Sequence, residues 1–88
     1  MPRISIRVTG RVQGVLFRAE ARKTAAKLGL SGYAHNLPDG SVAIEAEGPE
    51  RDLKKYLDWC HVGSPQSHIE SVTFRRVEAN GKTGFAIF

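Results

Sequence analysis

The residues best suited to chemistry lie in one stretch, Gly10-Arg11-Val12-Gln13-Gly14-Val15-Leu16-Phe17-Arg18, between a predicted strand and a predicted helix. Residues 13–17 form a loop that enters the helix amino terminus, where backbone N–H groups lack partners and the helix dipole is positive. Gly14 lets the backbone approach a ligand closely. Arg18 adds a planar set of donors that suits phosphate oxygens. The stretch therefore predicts an oxyanion cradle, and the alternative is a glycine turn whose arginine is only solvated. The cradle residues are Gln13, Gly14, Val15, Leu16, Phe17 and Arg18.

Asn36 is the second candidate, because it lies near the end of the second predicted strand, just before the turn Leu37-Pro38-Asp39-Gly40. In a split βαβ unit the first and second strands run parallel on either side of the third, so their carboxyl ends lie at one edge of the sheet. This arrangement brings Asn36 and the loop together across about 10 Å, which is two strand spacings. The alternative is that Asn36 only stabilises the turn.

Hydrophobic periodicity predicts the elements that would position these residues. Alternation of apolar and polar residues predicts a first strand beginning near Ile4, a second over residues 32–37 and a third over residues 41–47. Between the first two, an apolar stripe at Ala21, Ala25 and Leu28 predicts an amphipathic helix over residues 18–28, with Gly29 as its stop.

The second half of the chain repeats this pattern. Gly48-Pro49-Glu50 opens a second helix, which ends at Gly63-Ser64-Pro65. A fourth strand begins near Ile69, and Asn80-Gly81 is a hairpin signal, so we expect a short last strand at residues 85–87 to pair back. The order predicts an α+β, ferredoxin-like βαββαβ two-layer sandwich. Its sheet is mainly antiparallel, its two helices lie on one face, and a short fifth strand is added.

Length and composition limit the classes of protein. The chain has 88 residues, and we expect residues 1–88 to form a single domain. The net charge of +4 suits anionic partners, although solubility alone also explains it. No apolar run is long enough for a signal peptide or a membrane span, so we expect a cytoplasmic protein with no membrane partner. No long exposed apolar stripe demands a partner chain, so we expect a monomer.

The residue types expected of metal, cofactor or covalent chemistry are missing. Cys60 is the only cysteine, which excludes an internal disulfide, and its place on an apolar helix stripe indicates packing. No nucleotide-binding glycine-lysine motif and no carboxylate cluster fit for magnesium is present. His35, His61 and His68 show no metal-ligand spacing, so we expect neither a metal nor a cofactor.

Two long motifs resemble those of the acylphosphatase family. The stretch from Gly10 to Arg18 is similar to the family signature G-x-V-Q-G-V-x-F-R. Gly32-Tyr33-Ala34-His35-Asn36-Leu37-Pro38-Asp39-Gly40-Ser41-Val42 is similar to G-x-x-x-N-x-x-D-G-x-V. The resemblance covers nearly the whole chain. It implies a ferredoxin-like enzyme that hydrolyses acyl phosphates to a carboxylate and inorganic phosphate, with Arg18 binding the phosphoryl group and Asn36 orienting the attacking water. The sequence departs from the family pattern at three places. The family often has Trp at the position of Tyr33, and His35 and the polar residues 65–68 also differ. None of these departures changes Arg18 or Asn36.

The absence of a nucleophile and of an evident general acid suits this reaction. The carboxylate leaving group has a conjugate acid of pKa about 4, so it departs without being protonated. Because the site would bind mainly the phosphoryl end, we expect weak preference for the acyl group. The alternatives are an RNA-binding or a catalytically silent ligand-binding module of the same fold. The third strand has no aromatic residue and carries Glu45 and Glu47, which argues against nucleic acid as a partner.

Overall fold

Five strands and two helices make up the structure, a computed structural model that describes residues 1–88. In chain order these elements are β1 (Arg3–Arg11), α1 (Phe17–Lys27), β2 (Ser31–Asn36), β3 (Val42–Glu47), α2 (Glu50–Val62), β4 (His68–Val77) and β5 (Phe85–Ile87). The strands form one sheet in the order β4-β1-β3-β2-β5. All neighbouring pairs are antiparallel except β2 and β5, which are parallel. The predicted ferredoxin-like α+β fold is confirmed.

Period-two alternation divides the sheet into two faces. On β1 and β3 every second residue is apolar and buried, while the residues between them, half-buried Ala43 among them, lie on the opposite face. Both helices contribute to the same core, and the Tyr56 hydroxyl of α2 donates a hydrogen bond to the Ala21 carbonyl oxygen of α1 at 3.0 Å. Neither helix has the length and apolar character needed to cross a bilayer. The helices therefore cover one face of the sheet, and the buried residues of the central strands are Ile4, Ile6, Val8, Val42, Ile44 and Ala46.

The register of β3 places the ends of β1 and β2 side by side. Val42, the first residue of β3, is opposite Val8 of β1 on one side and opposite Asn36 of β2 on the other. Since β1 and β2 both run antiparallel to β3, they run parallel to each other and leave the sheet at the same edge. The predicted helix over residues 18–28 and strand over residues 32–37 each begin and end one residue later than α1 and β2 do.

The predicted hairpin at Asn80-Gly81 is wrong. The strands β4 and β5 lie at opposite edges of the sheet, so the segment between them crosses to the far edge instead of turning back. The turn is captured by Glu47 at the end of β3, whose carboxylate accepts hydrogen bonds from the backbone N–H groups of Asn80 at 2.9 Å and Gly81 at 3.0 Å. Asn-Gly supplies the positive φ of a turn, 71° at Gly81, but it does not select the next strand partner.

Gly32 allows β2 to lie close against β3, and its substitution tests this pairing. Its φ is +147°, and a Cβ atom there would be 1.8 Å from the Glu45 carbonyl oxygen. We expect Gly32→Ala to lower the free energy of unfolding by about 3 kcal/mol or more, because backbone atoms of two paired strands must separate. Gly81→Ala is the matched control: its φ is also positive, but a Cβ there would meet nothing within 4 Å. The control should lose only about 1 kcal/mol, the cost of a left-handed conformation. Urea unfolding measures both, and equal losses would contradict the proposed clash.

Candidate active site

The loop between β1 and α1 is held from both ends by buried side chains. Val12 is buried where the loop begins, and Phe17 is buried where α1 begins. The Phe17 ring packs against Trp59 of α2, with ring centroids 5.2 Å apart. Between these anchors, Ser64 donates a hydrogen bond from its Oγ to the Val15 carbonyl oxygen at 2.8 Å. The path of the loop backbone is therefore fixed by contacts with α2 and the segment that follows it.

Gln13 joins this loop to the turn between β2 and β3. Its side-chain Nε2 donates hydrogen bonds to the carbonyl oxygens of Leu37 at 2.8 Å and Ser41 at 2.9 Å. Leu37 directly follows Asn36, so the contact ties the loop to the neighbourhood of the second predicted site residue. The structure thus brings the two predicted parts of the site together at one edge of the sheet.

The loop backbone is curled, and its N–H groups are free. Gly14 has a φ of 74° and Leu16 has a φ of 62°, so both adopt the left-handed conformation. The N–H groups of Gly14, Val15 and Leu16 donate to no backbone carbonyl. These free donors directly precede the amino terminus of α1, where the helix dipole is positive. The arrangement can bind an anion through backbone N–H groups.

Arg18 lies at the first turn of α1, beside this curled loop. It lines a cavity of about 230 Å³ together with Gly14, Leu16 and Ile87. Its Nη1 donates a hydrogen bond to the main-chain oxygen of Phe88, a contact that orients the guanidinium. No aspartate or glutamate side chain forms an ion pair with Arg18. No acidic side chain therefore neutralises the charge of Arg18.

Asn36 is half-buried at the end of β2, and its Oδ1 atom is buried without a hydrogen-bond partner. An unpaired buried polar oxygen costs about 1–3 kcal/mol, so it is an exception that calls for an explanation. The turn after Asn36 is held by other groups: the Gly40 N–H donates to the Leu37 carbonyl oxygen, and Asp39 accepts from the Ser41 N–H at 2.9 Å. The side chain of Asn36 makes none of these bonds, which weakens the alternative that it only stabilises the turn.

Asp39 and Cys60 take the structural places that the sequence predicts. Asp39 accepts hydrogen bonds from the Ser41 hydroxyl and N–H, which lower the pKa of its carboxyl group. Cys60 is fully buried on α2, and burial raises the pKa of its thiol to about 12. A thiol with this pKa remains protonated near neutral pH and is a poor nucleophile. No group of three or more His, Cys, Asp or Glu residues is placed to hold a metal ion.

Three contributions to the site were missed by the sequence analysis. Ser64 looked only like part of a helix stop, yet it anchors the loop at Val15. Phe88 contacts Arg18 although the two residues are 70 positions apart in the sequence, and no local sequence pattern predicts this contact. The left-handed conformation of Leu16 was also missed, because leucine gives no signal for positive φ.

Comparisons with known proteins agree with this architecture. The acylphosphatase family model matches residues 4–87. An acylphosphatase from Thermus thermophilus is 47% identical over 88 residues, and the match covers 100% of both chains. One from Methylococcus capsulatus is 41% identical over 88 residues, covering 99% of this chain and 96% of the relative. The crystal structure of acylphosphatase from Bacillus subtilis matches with a TM-score of 0.97 and 37% identity, covering 100% of this chain and 99% of that chain.

The burial of Cys60 predicts a thiol that is unreactive in the folded protein. At pH 8 we expect modification by a disulfide reagent to proceed only as fast as the protein unfolds, because the thiol is both shielded and protonated. The matched control is Val62→Cys in a Cys60→Ala background, since Val62 lies two residues along the same helix and is 72% exposed. That cysteine should react at the rate of a free thiol. Rapid modification of Cys60 in the folded chain, followed by absorbance, would contradict its assignment to the core.

Proposed function

The chain belongs to the acylphosphatase family, and we propose that it hydrolyses the carboxyl–phosphate bond of acyl phosphates, releasing a carboxylate and inorganic phosphate. The observation that carries this proposal is the curled loop with free N–H groups beside Arg18, tied through Gln13 to the turn that follows Asn36. The proposal treats residues 1–88 as one catalytic domain that acts as a monomer. It requires no metal, cofactor, nucleic acid or membrane partner.

The loop and Arg18 bind the phosphoryl group in this proposal. The free N–H groups of Gly14, Val15 and Leu16 donate to phosphoryl oxygens, and the α1 dipole favours the negative charge. Arg18 donates from its planar guanidinium to a further pair of oxygens. Because the loop is held by Gln13, Ser64 and buried Phe17, these donors are in place before the substrate arrives. Fixed donors stabilise the charge of the transition state without the cost of reorganisation.

Asn36 positions the attacking water. Its buried, unpaired Oδ1 accepts a hydrogen bond from the water and so satisfies an otherwise unpaired oxygen. Holding the water in line with the breaking bond removes part of the entropic barrier of a bimolecular reaction. Asn36 is held near the bound phosphoryl group by the β3 register and by the hydrogen bond from Gln13 to Leu37.

The substrate is an acyl phosphate because its leaving group needs no help from the protein. A carboxylate is the conjugate base of an acid with a pKa of about 4 and departs as an anion. A simple phosphate ester would expel an alkoxide, which calls for a general acid or a metal ion. Phosphoryl transfer depends mainly on positioning and electrostatic stabilisation, which one arginine, a loop and an oriented water supply.

Substitutions at Arg18 and Asn36 should have different effects on phosphate affinity and turnover. Arg18 meets the phosphoryl oxygens in both the bound substrate and the transition state, so Arg18→Ala should weaken phosphate binding and also reduce turnover. Arg18→Lys should be damaging too, since a point charge does not replace the planar guanidinium. Asn36→Ala should leave phosphate affinity near that of the unmodified protein while kcat falls by about 10²-fold or more, the scale of losing one positioning group.

Phosphate titration by calorimetry and steady-state hydrolysis of acetyl phosphate measure the two effects, and circular dichroism confirms folding. Arg22→Ala is the control for Arg18, because Arg22 is exposed one turn further along α1 and forms no ion pair. It should change both readouts little. If Asn36→Ala loses phosphate binding in step with turnover, Asn36 is a binding residue. If it retains full turnover, another group places the water.

Hydrolysis should continue in the presence of a chelator. The proposed chemistry uses only protein donors and water, so EDTA should change kcat/KM for acetyl phosphate by less than about twofold, within the scatter of such assays. Activity that EDTA abolishes and magnesium restores would contradict the metal-independent mechanism.

A further inference from the structure

A second cavity lies beside β5, on the face of the sheet that the helices leave uncovered. Its volume of about 300 Å³ is at the lower end of the range for drug-sized ligands, about 300–1,000 Å³. The proposed reaction uses none of its side chains. Aromatic rings form one end of the cavity, and the segment between β4 and β5 forms the other. Its lining includes Tyr33, Asn80, Lys82, Thr83, Gly84 and Phe88.

Two aromatic rings form the apolar end of this cavity. Phe88 is 71% exposed, and the centroid of its ring lies 6.0 Å from that of Tyr33, with the two planes tilted by 60°. The Tyr33 ring is held in place because its hydroxyl donates a hydrogen bond to Glu45 at 2.9 Å. Exposed aromatic rings bind nucleobases, since every base has a π-face that can stack on them. This end of the cavity therefore suits a planar ring.

Donors to an anion line the opposite end. Lys82 forms no ion pair, and the Thr83 side chain adds a hydroxyl group. The N–H groups of Thr83 and Gly84 donate to no backbone carbonyl. No aspartate or glutamate lines the cavity, and the two carboxylates of β3, Glu45 and Glu47, are already held in ion pairs. An ammonium group, a hydroxyl and free N–H groups in one segment suit a phosphate.

Contacts with the sheet hold the donor segment in place. Glu47 fixes its first turn through two hydrogen bonds, and the Gly32 N–H donates to the Gly84 carbonyl oxygen at 2.9 Å. Gly84 lies two residues before Ala86, which is paired with Tyr33. The two ends of the cavity are therefore roughly 7 Å apart along β5. One small molecule that carries both a ring and a phosphate spans this distance.

Phe88 links this cavity to the candidate active site. Its ring lines the cavity, while its main-chain oxygen accepts a hydrogen bond from Arg18 Nη1. Its N–H donates to the Ala34 carbonyl oxygen at 3.0 Å, so the ring is the part of the residue that a ligand reaches. A ligand packed against the ring restricts the position of Phe88 and so favours the orientation of Arg18 that this contact fixes.

We propose that this cavity binds a nucleoside monophosphate and that the bound nucleotide strengthens phosphate binding at Arg18. The base packs against Tyr33 and Phe88, and the phosphate accepts hydrogen bonds from Lys82 and from the free N–H groups of the segment before β5. Inorganic phosphate has no base, so it contacts only one end of the cavity and binds there weakly. The effect on hydrolysis rests on the proposed function, whereas nucleotide binding does not.

Calorimetry with AMP tests the site, with enough inorganic phosphate present to saturate the active site. Lys82→Ala and Phe88→Ala should each weaken AMP binding by about fivefold or more, because one removes a charged donor and the other a stacking ring. Phe88→Tyr keeps a ring and should bind AMP as the unmodified protein does. Adenosine and ribose 5-phosphate each contact only one end and should bind at least about fivefold more weakly than AMP.

Two matched controls lie outside the cavity. Lys55→Ala removes an exposed lysine of α2, and Phe74→Ala removes a phenylalanine of β4 that is 56% exposed. Neither residue lines the cavity, so both variants should leave AMP affinity unchanged. Circular dichroism confirms that each variant is folded.

The link between the cavity and Arg18 is tested by reciprocity. AMP should tighten the binding of inorganic phosphate by at least about twofold, and phosphate should tighten AMP binding by the same factor, because coupling between two binding sites is mutual. AMP should also raise kcat/KM for acetyl phosphate. Phe88→Ala should remove both effects.

Three results would overturn this inference. Unchanged AMP affinity in either Lys82→Ala or Phe88→Ala would remove the nucleotide from this cavity. Loss of all AMP binding at saturating phosphate, with AMP competing against acetyl phosphate, would place it in the active site instead. AMP binding with no change in phosphate affinity would overturn the link through Phe88. If AMP binds in the cavity of a protein that does not hydrolyse acetyl phosphate, the proposed function fails and the nucleotide site is supported.

Discussion

The register of β3 between β1 and β2 is the constraint on which the site depends, and a buried arginine holds it. Arg3 is 5% exposed, and its Nε donates to Glu45 at 2.7 Å and its Nη1 to Glu47 at 3.2 Å. Tyr33 of β2 donates to the same Glu45 from the other side at 2.9 Å. A slip of one residue would turn both glutamates into the core and Ile44 out of it, at a large cost in buried charge. The three strands therefore keep one alignment, and that alignment places Asn36 beside the loop that leaves β1.

The two glutamates show how this network is balanced electrostatically. Burial by itself would raise the pKa of Glu45, but hydrogen bonds from Arg3 and Tyr33 and the charge of Arg3 bring it below the usual value. The pKa of Glu47 is lowered first by the Asn80 N–H and then by the Gly81 N–H and Arg3. Both carboxylates are thus ionised and partnered near neutral pH. Because Glu47 also holds the crossover segment, the same charge that fixes β3 directs the chain to the far edge of the sheet, where β5 pairs with β2.

Local patterns were enough to predict the elements and to locate the loop and Asn36 at one edge of the sheet, whereas long-range contacts were not predictable. Burial within one element repeats every two residues in a strand and about every 3.6 residues in a helix, so it is visible as a pattern in the sequence. Ile4 and Ile6 show the strand period, and Ala21 and Ala25 show the helix period. The destination of β5 depends on Glu47 capturing a turn 33 residues away, which Asn80-Gly81 does not encode. The anchoring of the loop by Ser64 joins residues 49 apart, and serine has no feature that distinguishes an anchor from a helix stop. The loop could be located from sequence, but its rigidity could not.

Two energetically unfavourable features lie at the edge of the sheet where β1 and β2 end. The single non-glycine residue with positive φ is Leu16, and the single buried side-chain atom without a hydrogen-bond partner is Asn36 Oδ1. Each costs free energy. They persist because other contacts hold the surrounding chain in place: the hydrogen bonds of Gln13 and Ser64 and the packing of the buried Phe17 ring. In the proposed mechanism, this fixed geometry holds the loop donors ready for a phosphoryl group and the Asn36 oxygen ready for a water. On that proposal, part of the cost of organising the reaction is met when the protein folds, before any substrate is bound.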